Sequence, residues 1–285
     1  MRKNKVNYLQ NFYNQPEDWQ FWFLGFMAAD GWVSRTSNEV SILQQANRQH
    51  WIEDIIFRLG LTSLYYRKQT NAYITRLSCK DFKEMLYNFG IGSNKTQDLL
   101  FPKNLTADQT RWFISGFLDG DGCVCKIKES KSETKVININ FTGLKSVLQE
   151  IANSYGGFST ICNYKTSYVK KLIFWGKRAI DFGNWLWSDN CFSYKKELFL
   201  QYKQEYLDSR KDIEEYRHLL GIILDSGLLK SKKNIWKLTL DGPKIKAFKA
   251  WRKTRHCKDT SITAYDFRAI TPLLKEFILE HSLEA

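Results

Sequence analysis

Two carboxylates at matched places in a repeated apolar segment carry the most chemistry in this sequence. Asp30 closes FLGFMAADG, residues 23–31, and Asp121 closes ISGFLDGDG, residues 114–122. Each segment sets small residues four apart, Gly25 and Ala29 in one and Gly116 and Gly120 in the other, and each ends in Asp-Gly. The first is apolar almost all round from Phe21 to Ala28, the pattern of a short buried helix. Faces of small residues let two helices approach until their backbones touch. The spacing therefore predicts helices that cross at those faces, with their C-terminal ends side by side and Asp30 close to Asp121. That arrangement costs energy twice, because each carboxylate faces the negative end of a helix dipole and the two repel each other. Gly31 and Gly122 are expected to end the helices in the left-handed conformation, which accounts for the glycines and not for the acids. A divalent cation offsets both penalties, and Mg²⁺ is the natural match for hard oxygen ligands beside phosphates. A calcium loop starting near Asp119 is excluded, since Cys123, Val124 and Ser130 stand where Asp or Asn, Gly and Glu are required.

The elements that must position these acids repeat in the same order. After Gly31, EVSILQQ alternates over residues 39–45, with Val40 and Ile42 on one side and Glu39, Ser41 and Gln45 on the other. HWIEDIIFRLG reads as an amphipathic helix stopped by Gly60. Strands are expected at 62–68 and 72–79, then a helix at 81–89. The second half repeats this with strands at 123–128 and in TKVININFT, a helix in LKSVLQEIANSYGG, strands at 158–164 and 168–175, and a helix at 177–187. Each half thus reads helix, two strands, helix, two strands, helix. A four-stranded antiparallel sheet packed on helices leaves its other face to solvent or ligand. That face is expected to carry Ser41, Gln45, Arg76, Asn138, Asn140 and Thr142, with Lys165 and Lys170, a basic, amide-rich surface suited to a DNA groove. A pseudo-twofold pair of such sheets can straddle a duplex, itself nearly twofold symmetric.

The bulk composition agrees. The chain has 285 residues, 43 Lys and Arg against 30 Asp and Glu, and a formal charge of +13. Such a balance points to a polyanion, nucleic acid first and an anionic membrane second. A membrane-surface or structural role explains the charge but not the paired motifs. The basic N-terminus has no apolar core before Phe21 and does not read as a signal peptide. No apolar run approaches transmembrane length. The six cysteines lack zinc-finger spacing and read as reduced thiols of an intracellular protein, cytoplasmic, nucleoid or organellar.

On FLGFMAADG and ISGFLDGDG, and on the strand and helix order after each, the chain resembles the LAGLIDADG homing endonucleases in their single-chain, two-motif form, over roughly residues 18–205. The resemblance implies an α+β fold of two αββαββα halves, whose four-stranded antiparallel sheets form a DNA-binding saddle and whose motif helices form the interface. It divides the chain into a first half at 1–92, a linker at 93–108, a second half at 109–208 and a small α/β extension at 209–285. It implies cleavage of a long double-stranded DNA site across the minor groove with short 3′ overhangs. The metal ligands it implies are Asp30 and Asp121, with the backbone carbonyls of Ala29 and Gly120 as further candidates. Mg²⁺ is the expected ion, Mn²⁺ a substitute, and Ca²⁺ one that binds without supporting cleavage. The first motif copy departs at its sixth position, where Ala28 stands against Asp119 in the second.

The resemblance also implies a basic residue after the last helix of each half, matched by Lys95 in IGSNKTQ and Lys195 in CFSYKKE. It implies a polar residue near the end of each second strand, matched by Gln45 in the first half and by Asn140 or Thr142 in the second. Candidate DNA contacts beyond these are Arg67, Arg76, Lys126, Lys128, Lys165 and Lys170, as guanine or phosphate partners. Both halves lie in one chain, so a monomer is expected. No intein segment is evident, which suggests an intron-encoded or free-standing gene. The alternative functional readings are an RNA-splicing maturase that binds intron RNA and a DNA-binding derivative without catalysis. Residues 209–285 read as a helix, two short strands about a basic turn, the basic stretch KIKAFKAWRKTRH and a last helix, a winged-helix-like module that either extends the DNA footprint or docks on the core as packing.

Overall fold

The structure, a computed structural model, describes residues 7–128, 135–156, 159–164, 166–188 and 191–226, with 271, 272, 274, 275, 278, 279 and 282 beyond them. The chain divides into two compact units, one of Met1–Lys126 with Ile137–Tyr202 and the other of Ile127–Val136 with Lys203–Ala285.

In the first unit α1 (Tyr8–Tyr13) precedes the first motif helix, α2 (Glu17–Ala29). Then come β1 (Gly31–Val33), β2 (Glu39–Gln45), α3 (Gln49–Leu59), β3 (Tyr65–Arg67), β4 (Ala72–Ser78) and α4 (Lys80–Asn88). A short α5 (Lys95–Asp98) leads to the second motif helix, α6 (Ala107–Asp121). The order repeats as β5 (Gly122–Lys128), β6 (Lys135–Leu144), α7 (Lys145–Tyr155), β7 (Thr160–Tyr164), β8 (Thr166–Trp175) and α8 (Lys177–Leu186), before the 30-residue α9 (Lys196–Asp225). The two antiparallel sheets have matching orders, β1-β2-β4-β3 and β5-β6-β8-β7. The expected α+β architecture of two αββαββα halves is therefore the observed one.

Local signals set the element ends. Thr106 opens α6 with a capping box, its hydroxyl accepting from Gln109 N while the Gln109 side chain accepts from Thr106 N. Gly60 and Gly156 close α3 and α7 at φ 67° and 70°, where a side chain would be strained. Apolar sheet faces meet the helices. Val40, Ile42 and Leu77 are buried in the first half, and Ile139, Phe141, Leu172 and Phe174 in the second. Among the described residues many aromatic side chains are buried and packed on one another: Trp19 stacks on Phe23 at 5.1 Å, and Phe174 on Phe182 at 4.0 Å. Full burial of one such ring contributes roughly 1.5–3 kcal/mol.

The expectation for Gly31 and Gly122 is corrected. Neither has positive φ, and Gly122 is extended at φ −103° and ψ 175°. Each motif helix runs straight into a strand, and glycine is required there for space. A Cβ on Gly31 would lie 2.3 Å from the Met27 methyl, and one on Gly122 would lie 2.5 Å from the Leu118 carbonyl oxygen.

The second unit contains the later part of α9, with Tyr206 and Leu219 buried, and Leu274 and Ile278 buried further along the chain. Lys275 pairs with Glu215 at 2.6 Å. Residue 208 lies inside α9. The expected winged strands and the basic stretch around Trp251 lie outside the described residues. Among the described residues, no helix is long and apolar enough to cross a membrane. Cys79, Cys123, Cys125, Cys162 and Cys191 are free thiols.

Candidate active site

The two motif helices cross where the sequence has no side chains. A Cβ on Gly25 would lie 1.9 Å from the Phe113 carbonyl oxygen, and one on Gly116 would lie 1.8 Å from that of Trp22. One turn on, Gly120 faces Ala29 and Asp30: a Cβ there would lie 2.4 Å from the Ala29 Cβ and 3.5 Å from the Asp30 carboxyl carbon. The crossing thus brings the ends of α2 and α6 together, and with them Asp30 and Asp121. Asp121 is exposed as a residue, yet its carboxyl is pushed up to about 6, first by desolvation among the surrounding protein atoms and second by the charge of Asp30. Lys95 and Lys195 pull in the other direction.

Both lysines sit at the C-terminal ends of the motif helices. Lys95 Nζ donates to the carbonyls of Met27 (3.0 Å) and Ala29 (2.6 Å). Lys195 Nζ donates to those of Leu118 (2.7 Å), Asp119 (2.7 Å) and Gly122 (2.9 Å). A cation there satisfies carbonyls that the helix leaves unpaired and faces the favourable end of its dipole. Burial lowers each ammonium to about 8, against the neighbouring carboxylates, which raise it.

The acids differ in their partners. Gln44 Nε2 donates to Asp30 Oδ2 at 2.6 Å. Gln45, the polar residue expected near the end of the second strand, is exposed on the other face of β2. The strand alternates as expected, but the helix-facing side is the one that reaches the end of α2. In the second half Gly143 shares the helix-facing side of β6 with Ile139 and Phe141, so that position offers no side chain to Asp121. Asp30, Gln44, Gln45, Asn47, Arg48 and Gly120 line a cleft of about 390 Å³. Arg48, which has no motif to mark it, brings a further cation to this cleft and also acts electrostatically on Lys195.

Asp119 is fully buried and bonded on both oxygens: by Trp22 Nε1 (2.8 Å), the Ser193 hydroxyl (3.1 Å), and the backbone N–H groups of Tyr194 (2.8 Å) and Lys195 (3.1 Å). Burial raises its carboxyl and Lys195 lowers it. It therefore ties α6 to α2 and to the loop before α9.

The expected DNA-facing residues divide. Arg67 and Arg76 are exposed, with Arg76 3.6 Å from Glu39. Lys126 lies over the Tyr202 ring at 4.5 Å, Lys170 donates to Asn163 at 2.7 Å, and Thr142 is half-buried opposite Lys171. Ser41, Asn138 and Asn140 are instead buried, contrary to expectation. Ser41 lies in register between Trp32 and Arg76, whose bulk flanks its hydroxyl. The two amides bond each other and the Phe174 carbonyl, which leaves little for a ligand. Lys165 and the Lys128 side chain lie outside the described residues. Exposed aromatics on the sheets, Trp32, Tyr65, Tyr66 and Trp175, were not picked out by charge.

The residues fit a divalent metal of the Mg²⁺ type. Among the described residues no cluster of three or more His, Cys, Asp or Glu forms a cage. Two carboxylates completed by water and substrate phosphate are what such an ion takes. The Ala29 carbonyl already accepts from Lys95, which makes it a weaker candidate ligand than Gly120.

Neither protein-family models nor curated protein sequences give a match to the chain. Solved structures do. The LAGLIDADG meganuclease I-AabMI bound to uncleaved DNA is similar at TM-score 0.50 and 11% identity, over 67% of this chain and 92% of that one. The I-LtrWI LAGLIDADG homing endonuclease bound to target DNA is similar at TM-score 0.48 and 11% identity, over 72% and 93%. I-SmaMI bound to an uncleaved DNA target with calcium ions is similar at 0.48 and 13%, over 68% and 91%. The fold of this chain is that of the LAGLIDADG endonucleases in their single-chain, two-motif form.

Proposed function

We propose that this chain is a site-specific double-stranded DNA endonuclease of the homing type, acting as a monomer on a long target and leaving short 3′ overhangs. The observation that carries the reading is the pair Asp30 and Asp121, brought together at the ends of crossing helices and flanked by two buried ammonium groups. A protein that only binds DNA gains nothing from holding a second carboxylate, Asp121, where Asp30 disfavours its charge. Asp30 and Asp121, with the Gly120 carbonyl, would hold divalent metal, Mg²⁺ by preference. Such a metal supplies a nucleophilic water at neutral pH and charge stabilisation at the leaving oxygen. Gln44 orients Asp30. Lys95 and Lys195 hold positive charge at the helix ends, beside the scissile phosphates. Arg48, Arg67, Arg76, Lys126 and Lys170 supply charge along the duplex, and the exposed aromatics of the sheets supply apolar contact to sugars and thymine methyls.

The test is incubation of the purified protein with a randomised duplex library in Mg²⁺, Mn²⁺, Ca²⁺ or EDTA, followed by sequencing of the cut ends. The expected result is cutting at one long site with 3′ overhangs in Mg²⁺ and Mn²⁺, none in Ca²⁺ or EDTA, and loss in Asp30→Asn or Asp121→Asn. Retention of duplex without cutting in any metal would overturn the nuclease reading in favour of a binding protein.

A further inference from the structure

The two halves hold their lysines differently. Lys195 is buried, and its backbone N–H is fixed by Asp119 Oδ1 (3.1 Å). The residue before it, Tyr194, reaches out of its own half. Its ring stacks on Trp51 of α3 with centroids 4.5 Å apart and planes 8° apart. Its hydroxyl is 3.1 Å from both Asp54 Oδ2 and the Trp51 carbonyl oxygen. Asp54 in turn is held by Arg58, whose Nε lies 3.0 Å from each of its oxygens. A helix of the first half thus moors the loop that carries the lysine of the second.

The mirror arrangement has other residues. Asn94 stands before Lys95, and its amide donates to Gln97 within the same turn. Ala28 stands where the second motif has Asp119. Both ammonium groups are enclosed, so the difference lies in what holds the loop that carries each lysine.

We propose that Trp51, Asp54 and Tyr194 are positioning residues for Lys195 and not for Lys95, so that they govern scission of one strand of the duplex. This rests on the endonuclease reading above for its consequence, and on geometry alone for the positioning. A side chain displaced by an ångström loses rate steeply, while Lys95, which donates to the Met27 and Ala29 carbonyls, keeps its own supports.

Two measurements test it. In single-turnover cleavage of a duplex labelled on each strand in turn, Tyr194→Leu is expected to slow by at least about tenfold the strand that Lys195→Met slows, and the other strand by less than about twofold. Nicked plasmid then accumulates. Tyr194→Phe, which keeps the stack and loses the Asp54 bond, gives a smaller loss on the same strand. Combining Tyr194→Leu with Lys195→Met slows that strand no further than Lys195→Met alone. Equal slowing of both strands, or of neither, overturns the proposal. In the second measurement, acetylation by a water-soluble acylating reagent is followed by mass spectrometry without DNA. Lys195 is expected to react faster in Tyr194→Leu, with Lys95 unchanged. A rise shared by both lysines, or absent from both, overturns the positioning claim. If the wild type cuts neither strand and the labelling comes out as expected, the positioning stands and the endonuclease reading fails.

Discussion

Asp121 holds its proton up to about pH 6 because its surroundings and the charge of Asp30 both disfavour the ionised form. Its folded value lies above its ordinary 3.8, so the folded protein binds more protons between about pH 4 and 6. Its contribution to stability is full below pH 4 and is lost as pH rises through 6. Lys95 and Lys195 have folded values lowered to about 8, so their penalty is present below pH 8 and fades toward 10.5. Asp121→Asn is therefore expected to raise the thermal stability of the metal-free protein at pH 7 and to leave it little changed at pH 4, by calorimetry at both values. The same variant should lose about 10³-fold in cleavage rate. Added Mg²⁺ should raise Tm in the wild type more than in the variant. A second prediction separates the neighbouring glutamines. Gln44→Ala is expected to slow cleavage by about tenfold or more by releasing Asp30, whereas Gln45→Ala leaves the rate at a cognate site within about threefold. Parity alone placed Gln45 on the ligand side, because alternation says which residues share a face and not which face meets the end of another element. Gln44 was legible as a strand residue and illegible as a partner of Asp30.

At the scale of elements, the crossing of α2 and α6 depends on backbone touching backbone. Gly25→Ala and Gly116→Ala each force a methyl to within 2 Å of a main-chain oxygen, which no rotamer relieves. Each is expected to destabilise the protein by about 3 kcal/mol or more and to remove cleavage with it, as read from denaturant unfolding. Gly156→Ala is the contrast. Nothing lies within 4 Å of the added methyl, so only the left-handed backbone resists it, at about 1–2 kcal/mol, with the cleavage rate kept. The two motif glycines were visible in the sequence as small residues four apart. The extended glycines after each Asp were misassigned to helix termination, since an Asp-Gly pair looks alike whether the chain turns or runs into a strand. The distinction lies in Met27 and Leu118, which fill the space that a side chain would need.

For the whole molecule, the +13 charge implies binding driven largely by release of counterions from the duplex. Affinity for a non-cognate duplex is expected to fall by about 10³-fold between 50 and 200 mM salt, measured by fluorescence anisotropy, with a shallower slope for Arg67→Ala combined with Arg76→Ala. A slope near zero would remove the electrostatic role given to the sheet faces. Several expected readers of the DNA, Ser41, Asn138 and Asn140, are nevertheless buried and bonded to their own sheet or flanked by larger neighbours. Polarity marked them as surface residues, and a buried amide that finds two partners within its sheet leaves no trace in the sequence.

The sequence by itself determined the duplicated order of elements, the helix faces that cross and the two acids at their ends. Those depend on periodicity and on residue size, which are local properties of the chain. Only the tertiary structure decided that Gln44 rather than Gln45 meets Asp30, that each lysine caps a motif helix, and that Tyr194 ties the second half to α3. Those partners lie from 14 to 143 residues apart, and what selects them is the packing of one element's end against another's side.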